Sequence, residues 1–389
     1  MLHRFIYNCD GDNIFIYQQP PMTAADVRSY VDEIADTAAT TFYMCPNIGM
    51  NMNFPSRVAD MVGAHAGPAA GERIERLGPT VPACTERAVA NLRGLVAAGH
   101  DPLGLVVERA RARGVETFIT FRLNEVHGVD DADSLLVSRF WREHPDWLTG
   151  TPGDKVSPLH LEILGPNVHP AVAGWLPGAL SFAVPEVRER RLAELRECCE
   201  RYPVDGLDLD FQRFPMYFPP GSEADNVGAM SAWIGRVRDM TREVGEKRRR
   251  PLLLSARVMA RPRQNLALGL DVATWAQQRM LDFVIISHYL RNDFPLPVAE
   301  YRRLLPPDMP LYASIEVEGT PDAYRRIARR LWRDGVDGIM LFNFFTAREG
   351  GKEPPFELLN ELGDAQMVAD SSPPSAKAQA MQAGDSHER

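Results

Sequence analysis

The stretch Val204-Asp205-Gly206-Leu207-Asp208-Leu209-Asp210-Phe211-Gln212-Arg213 alternates apolar and polar residues from Leu207 onward. A period of two places Asp208, Asp210 and Gln212 on one face of a strand, with same-face neighbours about 6.6 Å apart at ~3.3 Å per residue. Leu207, Leu209 and Phe211 take the other face. If that apolar face packs under helices, the two carboxylates point into an enclosed interior, where unpaired charge needs partners or a purpose. Residues 336–345, Val-Asp-Gly-Ile-Met-Leu-Phe-Asn-Phe-Phe, repeat the opening in register, with Met340 and Phe342 where the aspartates stood. Asp205 and Asp337, each before a glycine, are therefore read as turn residues that start strands. Asp208 and Asp210 exceed what the fold demands.

Working outward, apolar or β-branched runs alternate with amphipathic stretches along the whole chain. Strands are expected at 4–9, 40–46, 115–122, 204–211, 252–258, 282–289, 311–317 and 336–343. Helices are expected at 23–37, 85–113 with a break near Gly99, 185–202, 227–248, 271–280, 297–305, 321–334 and 355–362. Pro185, Pro297 and Pro321 stand at or near helix starts, where a missing backbone donor costs nothing. Strict alternation implies a parallel sheet, and eight such units close into an α/β fold of the (β/α)8 TIM barrel class. The long loops after strands 2 and 3, 47–84 and 123–184, would wall one side of a site at the C-terminal ends of the strands.

A chain of 389 residues with 45% hydrophobic and 24% charged residues has an ordinary globular composition. One barrel domain over 1–366 is expected, followed by a disordered C-terminal tail, 367–389, that lacks apolar periodicity. A net charge of −9 argues against a nucleic-acid partner, which would normally leave a basic stripe. No run approaches the ~18 apolar residues of a membrane span, and no secretory signal is visible. The five cysteines have no metal-binding spacing, so a cytoplasmic location with free thiols is expected. The oligomeric state is left open.

Function must be read from what the strand ends carry. Strand one brings Asn8 and Asp10; strand two Cys45 and Asn47; strand three Arg122, Asn124, Glu125 and His127; strand four Asp208, Asp210, Gln212 and Arg213. Strands five to eight add Arg257, His288 with Tyr289, Glu316 with Glu318, and Asn343. Paired carboxylates on different strands are the equipment of glycoside hydrolysis, one protonating the leaving oxygen while the other attacks or activates water. Asp210, as nucleophile or base, and Glu316, as proton donor, form the best such pair. Asn8, Asp10, Arg122, Asn124, His127, Asp208, Gln212, Arg213, Arg257, His288, Tyr289 and Glu318 are expected to bind the carbohydrate substrate. No cofactor or metal is required. Arg122, Arg213, Arg257, Arg261, Arg263 and Arg291 gather at this end, either to fork around an anionic sugar or, the favoured reading, to neutralise the acids of the site. Trp141, Trp147 and Trp175 in the long loop after strand 3 could stack on sugars or serve as core.

The segments Asn8-Cys9-Asp10-Gly11, Phe121 to His127, Phe140 to Trp147, Val204 to Pro215, Ser314-Ile315-Glu316 and Asp337 to Asn343 together resemble an uncharacterised bacterial branch of the glycosyl-hydrolase-like family 10 barrels. The likeness spans Arg4 to about Gly363 and implies a carbohydrate-active (β/α)8 barrel without naming a substrate. Strand four also resembles the Asp-Gly-x-Asp-x-Asp-x-Glu motif of glycoside hydrolase family 18, whose final Glu is the acid. Here that position is Gln212, which cannot donate a proton as an acid does, so a chitinase-type mechanism is disfavoured. Two alternatives follow: a non-catalytic carbohydrate-binding barrel, suggested by Gln212, and a metal-dependent sugar isomerase-like enzyme using Asp208, Asp210, Glu316 and His288 as ligands.

Overall fold

A computed structural model describes residues 3–64, 84–166, 168–316, 319–350 and 352–370. Eight strands form the barrel: β1 (Phe5–Cys9), β2 (Thr41–Met44), β3 (Glu116–Arg122), β4 (Gly206–Asp210), β5 (Leu253–Met259), β6 (Phe283–Ser287), β7 (Leu311–Ile315) and β8 (Gly338–Leu341). All pair in parallel, each with its sequence neighbours, and β8 closes on β1. The expected (β/α)8 barrel is the fold.

The alternation in β4 is realised as read. Leu207, Leu209 and Phe211 are fully buried in the core between strands and helices. Asp208 pairs in register with Thr120 on β3 and Ser255 on β5; Asp210 pairs with Arg122 and Arg257. Inside the barrel a separate apolar plug, comprising Ile6, Tyr43, Phe118, Phe283, Ile285, Tyr312, Met340 and Phe342, fills the space around these polar groups.

Asp205 and Asp337 do more than turn the chain. The Asp205 carboxylate accepts the Thr117 N–H of β3 at 2.9 Å, Asp337 accepts the Leu311 N–H of β7 at 2.7 Å, and Asp282 accepts the Leu254 N–H of β5 at 2.7 Å. Each acid at the base of a strand thus satisfies a donor on the strand before it, where the ladder has not yet begun. The glycine that follows Asp205 and Asp337 is needed for space. A Cβ at Gly206 would collide with the Phe118 ring, and one at Gly338 with the Tyr312 ring and the Arg4 carbonyl.

Most expected helices are present, among them Ala24–Ala35, Cys84–Ala97 and Pro102–Ala112 on either side of Gly99, Pro185–Arg201, Glu223–Arg248 and Pro321–Asp334. Thr23 and Asp26 form a reciprocal capping box, and Asp101, Asp271 and Thr320 accept helix N–H groups as N-caps. The expected helix at 355–362 is instead the short 3-10 stretch Phe356–Asn360. The expected tail opens with a helix, Ala365–Asp370, in which Val368 is fully buried and its carbonyl accepts Arg329 Nε at 2.7 Å. Residues 371–389 lie outside the described residues.

The long second connection carries a two-stranded hairpin, Asn47–Ile48 with Asn51–Met52. The third carries short helices at Arg139–Glu143, Pro158–Leu164 and Pro170–Trp175. Neither was anticipated, because elements this short leave too few residues to display a period.

Candidate active site at the barrel mouth

Asp210, Arg257 and Glu316 meet at the C-terminal end of the barrel. One Arg257 nitrogen lies 3.3 Å from both Asp210 oxygens, and the other donates to Glu316 Oε1 at 2.7 Å. Asp210 Oδ1 also accepts the Gln212 N–H at 2.8 Å. Asn292 holds the main chain of Glu316 from both sides, accepting its N–H at 2.9 Å and donating to its carbonyl at 3.1 Å. Ser314 donates to Oε1 at 3.3 Å, while Oε2 is buried with no partner among the described residues. Burial raises the Glu316 carboxyl above the usual range despite the opposing pull of Arg257. All three residues are 1% exposed. The guanidinium carbon lies 3.8 Å from the centre of the Phe342 ring.

Below this row, Asp208 accepts hydroxyls from Thr120 at 2.8 Å and Ser255 at 2.7 Å, and Ser255 in turn lies 3.0 Å from the Tyr43 hydroxyl. Burial, then the neighbouring Asp210 charge, pushes its carboxyl up to about 7. Asp208 is an interior group, enclosed on every side.

The open space lies elsewhere at the same end. A polar cavity of about 280 Å³ is lined by Asp10 and Asp12 after β1, Asn47 to Gly49 after β2, Arg122 and His127, Arg213 after β4, and Asn343. Asp210 and Glu316 are absent from its wall. Arg122 joins the two regions: it lines the cavity, pairs with Asp10 and, at 3.2 Å, with Glu125, and shares its row with Asp210. Although burial would raise the Glu125 carboxyl, His127, Arg122 and Arg213 hold it below the usual range. The His127 Nδ1 meets Glu125, which leaves Nε2 facing Arg213 Nη2 at 3.4 Å.

Not every expected sugar contact is free for that role. The Asn124 amide bonds to the main chain of Leu180 and Met216, so it fastens the third loop to the fourth. The Gln212 amide donates to the Val258 and Ser287 carbonyls, a role that an ionised Glu could not take. His288 is buried outside the cavity wall; burial and Arg291 hold its imidazole neutral, down to about 4. Asn8 Oδ1 and the Tyr289 hydroxyl are buried without partners among the described residues, and Glu318 lies outside those residues. Trp141 anchors its loop through the Gly178 carbonyl at 2.7 Å, and Trp147 stacks on His144. Trp175 packs edge-on against His127 and donates to Asp130 at 2.6 Å. The Cys45 thiol, pushed up to about 12 by burial, bonds to Asn47. No group of three or more His, Cys, Asp or Glu among the described residues is placed to hold a metal ion.

Sequence reasoning missed Asp12, whose carboxyl burial and Asp10 push up to about 6. Gly11 lets it arrive: a Cβ there would collide with the Asn47 carbonyl. The pairing Asp10-Gly-Asp12 was the available signal.

No protein-family profile and no curated protein sequence matches the chain, so the expected family 10 likeness gains no support there. Similar solved structures include the glycoside hydrolase domain of PgaB (BpsB) from Bordetella bronchiseptica, with 13% identity and a TM-score of 0.51 over 93% of this chain and 99% of that one. Alpha-L-fucosidase isoenzyme 2 from Paenibacillus thiaminolyticus gives 12% identity and a TM-score of 0.51, over 99% of this chain and 50% of that one. At such identities the likeness is one of fold: this chain has the (β/α)8 barrel on which those glycoside hydrolases are built.

Proposed function

We propose that the chain is a glycoside hydrolase, with Glu316 as proton donor and Asp210 as nucleophile or base. The observation that carries the reading is the Asp210–Arg257–Glu316 bridge at the strand ends. One carboxyl there is raised by burial and keeps an oxygen unpartnered, as an acid requires; the other is fixed by an N–H and a cation, as a carboxylate requires. Asp10, Arg122 and His127 line the cavity beside this bridge and would orient sugar hydroxyls. Among the described residues the free buried thiols Cys9, Cys45, Cys198 and Cys199 suit a cytoplasmic location. The test is hydrolysis of a panel of aryl glycosides and glycuronides by wild type and Asp210→Asn, with and without EDTA. Turnover that falls at least a hundredfold in the variant and ignores EDTA supports the assignment; undiminished turnover in Asp210→Asn contradicts it.

A second reading, a carbohydrate-binding barrel without turnover, is favoured by the 1% exposure of both acids and by Gln212 at the acid position of the family 18 motif. It is chosen if sugars bind saturably and no panel member is cleaved.

A further inference from the structure

The rim arginines are not equivalent. Arg122 pairs with Asp10 and Glu125, and Arg257 with Asp210 and Glu316. Arg261 and Arg263 converge on Glu162 at 3.1 and 2.5 Å, while Arg291 takes Asp293 and the carbonyls of Glu162 and Ile163. These last three fasten the helix Pro158–Leu164 to the barrel. Arg213 alone of the six makes no ion pair among the described residues, yet it is 7% exposed. Among the described residues its Nε is buried without a partner, and Nη2 has only the His127 ring nitrogen at 3.4 Å.

Glu125 feels the Arg213 charge but makes its close contacts with Arg122 and His127, and a buried guanidinium with no carboxylate in contact is unfavourable unless a partner arrives from outside. The surroundings hold it ready for one. Its carbon lies 5.4 Å from the Phe214 ring centre and 6.0 Å from that of Phe342, and it lines the 280 Å³ cavity. We propose that Arg213 receives the carboxylate of an acidic sugar, making the mouth cavity a subsite for a hexuronic acid residue. This proposal rests on the glycosidase reading for the fate of that sugar, but not for its binding.

The planar fork of arginine matches the two oxygens of a carboxylate. Glu125 at Nδ1 fixes the His127 tautomer, so that Nε2 points at Arg213 and helps to aim it. The other acids of the cavity do not defeat an anion. Asp10 is paired with Arg122, and Asp12, raised to about 6, can donate a proton to a sugar hydroxyl on the acid side of that value. The volume, about 280 Å³, lies just below the ~300–1,000 Å³ range of ligand pockets, which suits a single ring.

The experiment is calorimetric titration at pH 5.5 of wild type, Arg213→Gln and Arg213→Lys with the methyl glycosides of glucuronic, galacturonic and mannuronic acids, their neutral parents, and a 6-sulfated glucoside. Wild type is expected to bind at least one uronide tenfold or more tighter than its neutral parent. Arg213→Gln should lose that preference while keeping neutral-sugar binding and its melting temperature, and Arg213→Lys should keep part of it. Equal binding of acidic and neutral sugars, binding of none, or a preference that survives in Arg213→Gln overturns the proposal. Equal affinity for the sulfated sugar overturns the carboxylate assignment. Selective binding without cleavage of any aryl glycuronide would fail the glycosidase reading and leave Arg213 standing; cleavage of neutral glycosides with no acid preference would do the reverse.

Discussion

Two segments of the barrel open with Val-Asp-Gly, at 204–206 and 336–338, and the structure uses those residues in the same way. Asp205 and Asp337 each satisfy a donor of the preceding strand, and Gly206 and Gly338 each clear space for a ring on that strand, Phe118 or Tyr312. Beyond the third residue the two diverge. β4 sends Asp208 and Asp210 inward; the β8 segment sends Met340 and Phe342, which join the apolar plug. Just past each strand the chain turns through a left-handed residue, Phe214 at φ +54° and Asn343 at φ +55°. The start and exit of a strand therefore serve closure of the barrel, and the interior positions between them are free to carry either core or chemistry. The two outcomes then touch: the guanidinium carbon of Arg257, partner of Asp210, sits over the Phe342 ring.

The comparison breaks most directly at Arg257. Replacing it with Met leaves Asp210 and Glu316 buried without their shared cation, and removing one partner of a buried ion pair costs roughly 3–5 kcal/mol. Chemical denaturation of Arg257→Met should show a loss of that order. A loss below ~1 kcal/mol would mean that the acids are hydrated or already neutral, and that the contrast between the segments is one of composition only.

Asp208 sharpens the contrast with Met340 through pH. Its carboxyl is raised to about 7 from about 3.9 in an unfolded chain. Between those values the folded state holds a proton that the unfolded state has released. Its contribution to stability is therefore complete below about pH 4 and lost as pH rises through 7. At ~1.4 kcal/mol per pKa unit the loss is on the order of 4 kcal/mol. Denaturation midpoints measured from pH 4.5 to 8 should fall more steeply for wild type than for Asp208→Asn. Parallel curves would show that Asp208 ionises as an ordinary carboxylate.

The repeated Val-Asp-Gly is what made the fold and the exceptional acids legible in the sequence, because one copy served as a control for the other. The long apolar strands and capped helices displayed their periods plainly. The site was legible only one strand at a time. Nothing local to Arg257 says that it bridges β4 to β7, since that contact is set by barrel closure. Asn124 reads as a polar rim residue, yet its amide is spent on the main chain of Leu180 and Met216, 56 and 92 residues away. Asp12 was passed over because it lies three residues beyond the strand end at Cys9, in a loop whose path depends on the close approach of Gly11 to Asn47.

The account stands on Glu316 acting as an acid beside Asp210, and leaving-group dependence tests that most directly. The measurement is the hydrolysis rate of Glu316→Gln, relative to wild type, across aryl glycosides whose leaving phenols range from strongly acidic to weakly acidic. An acid is needed only when the departing oxygen must be protonated. The account predicts near wild-type bond cleavage for the most acidic phenol and a loss of about 10²–10⁴-fold for the least acidic. A uniform effect across the series, or none, would contradict it.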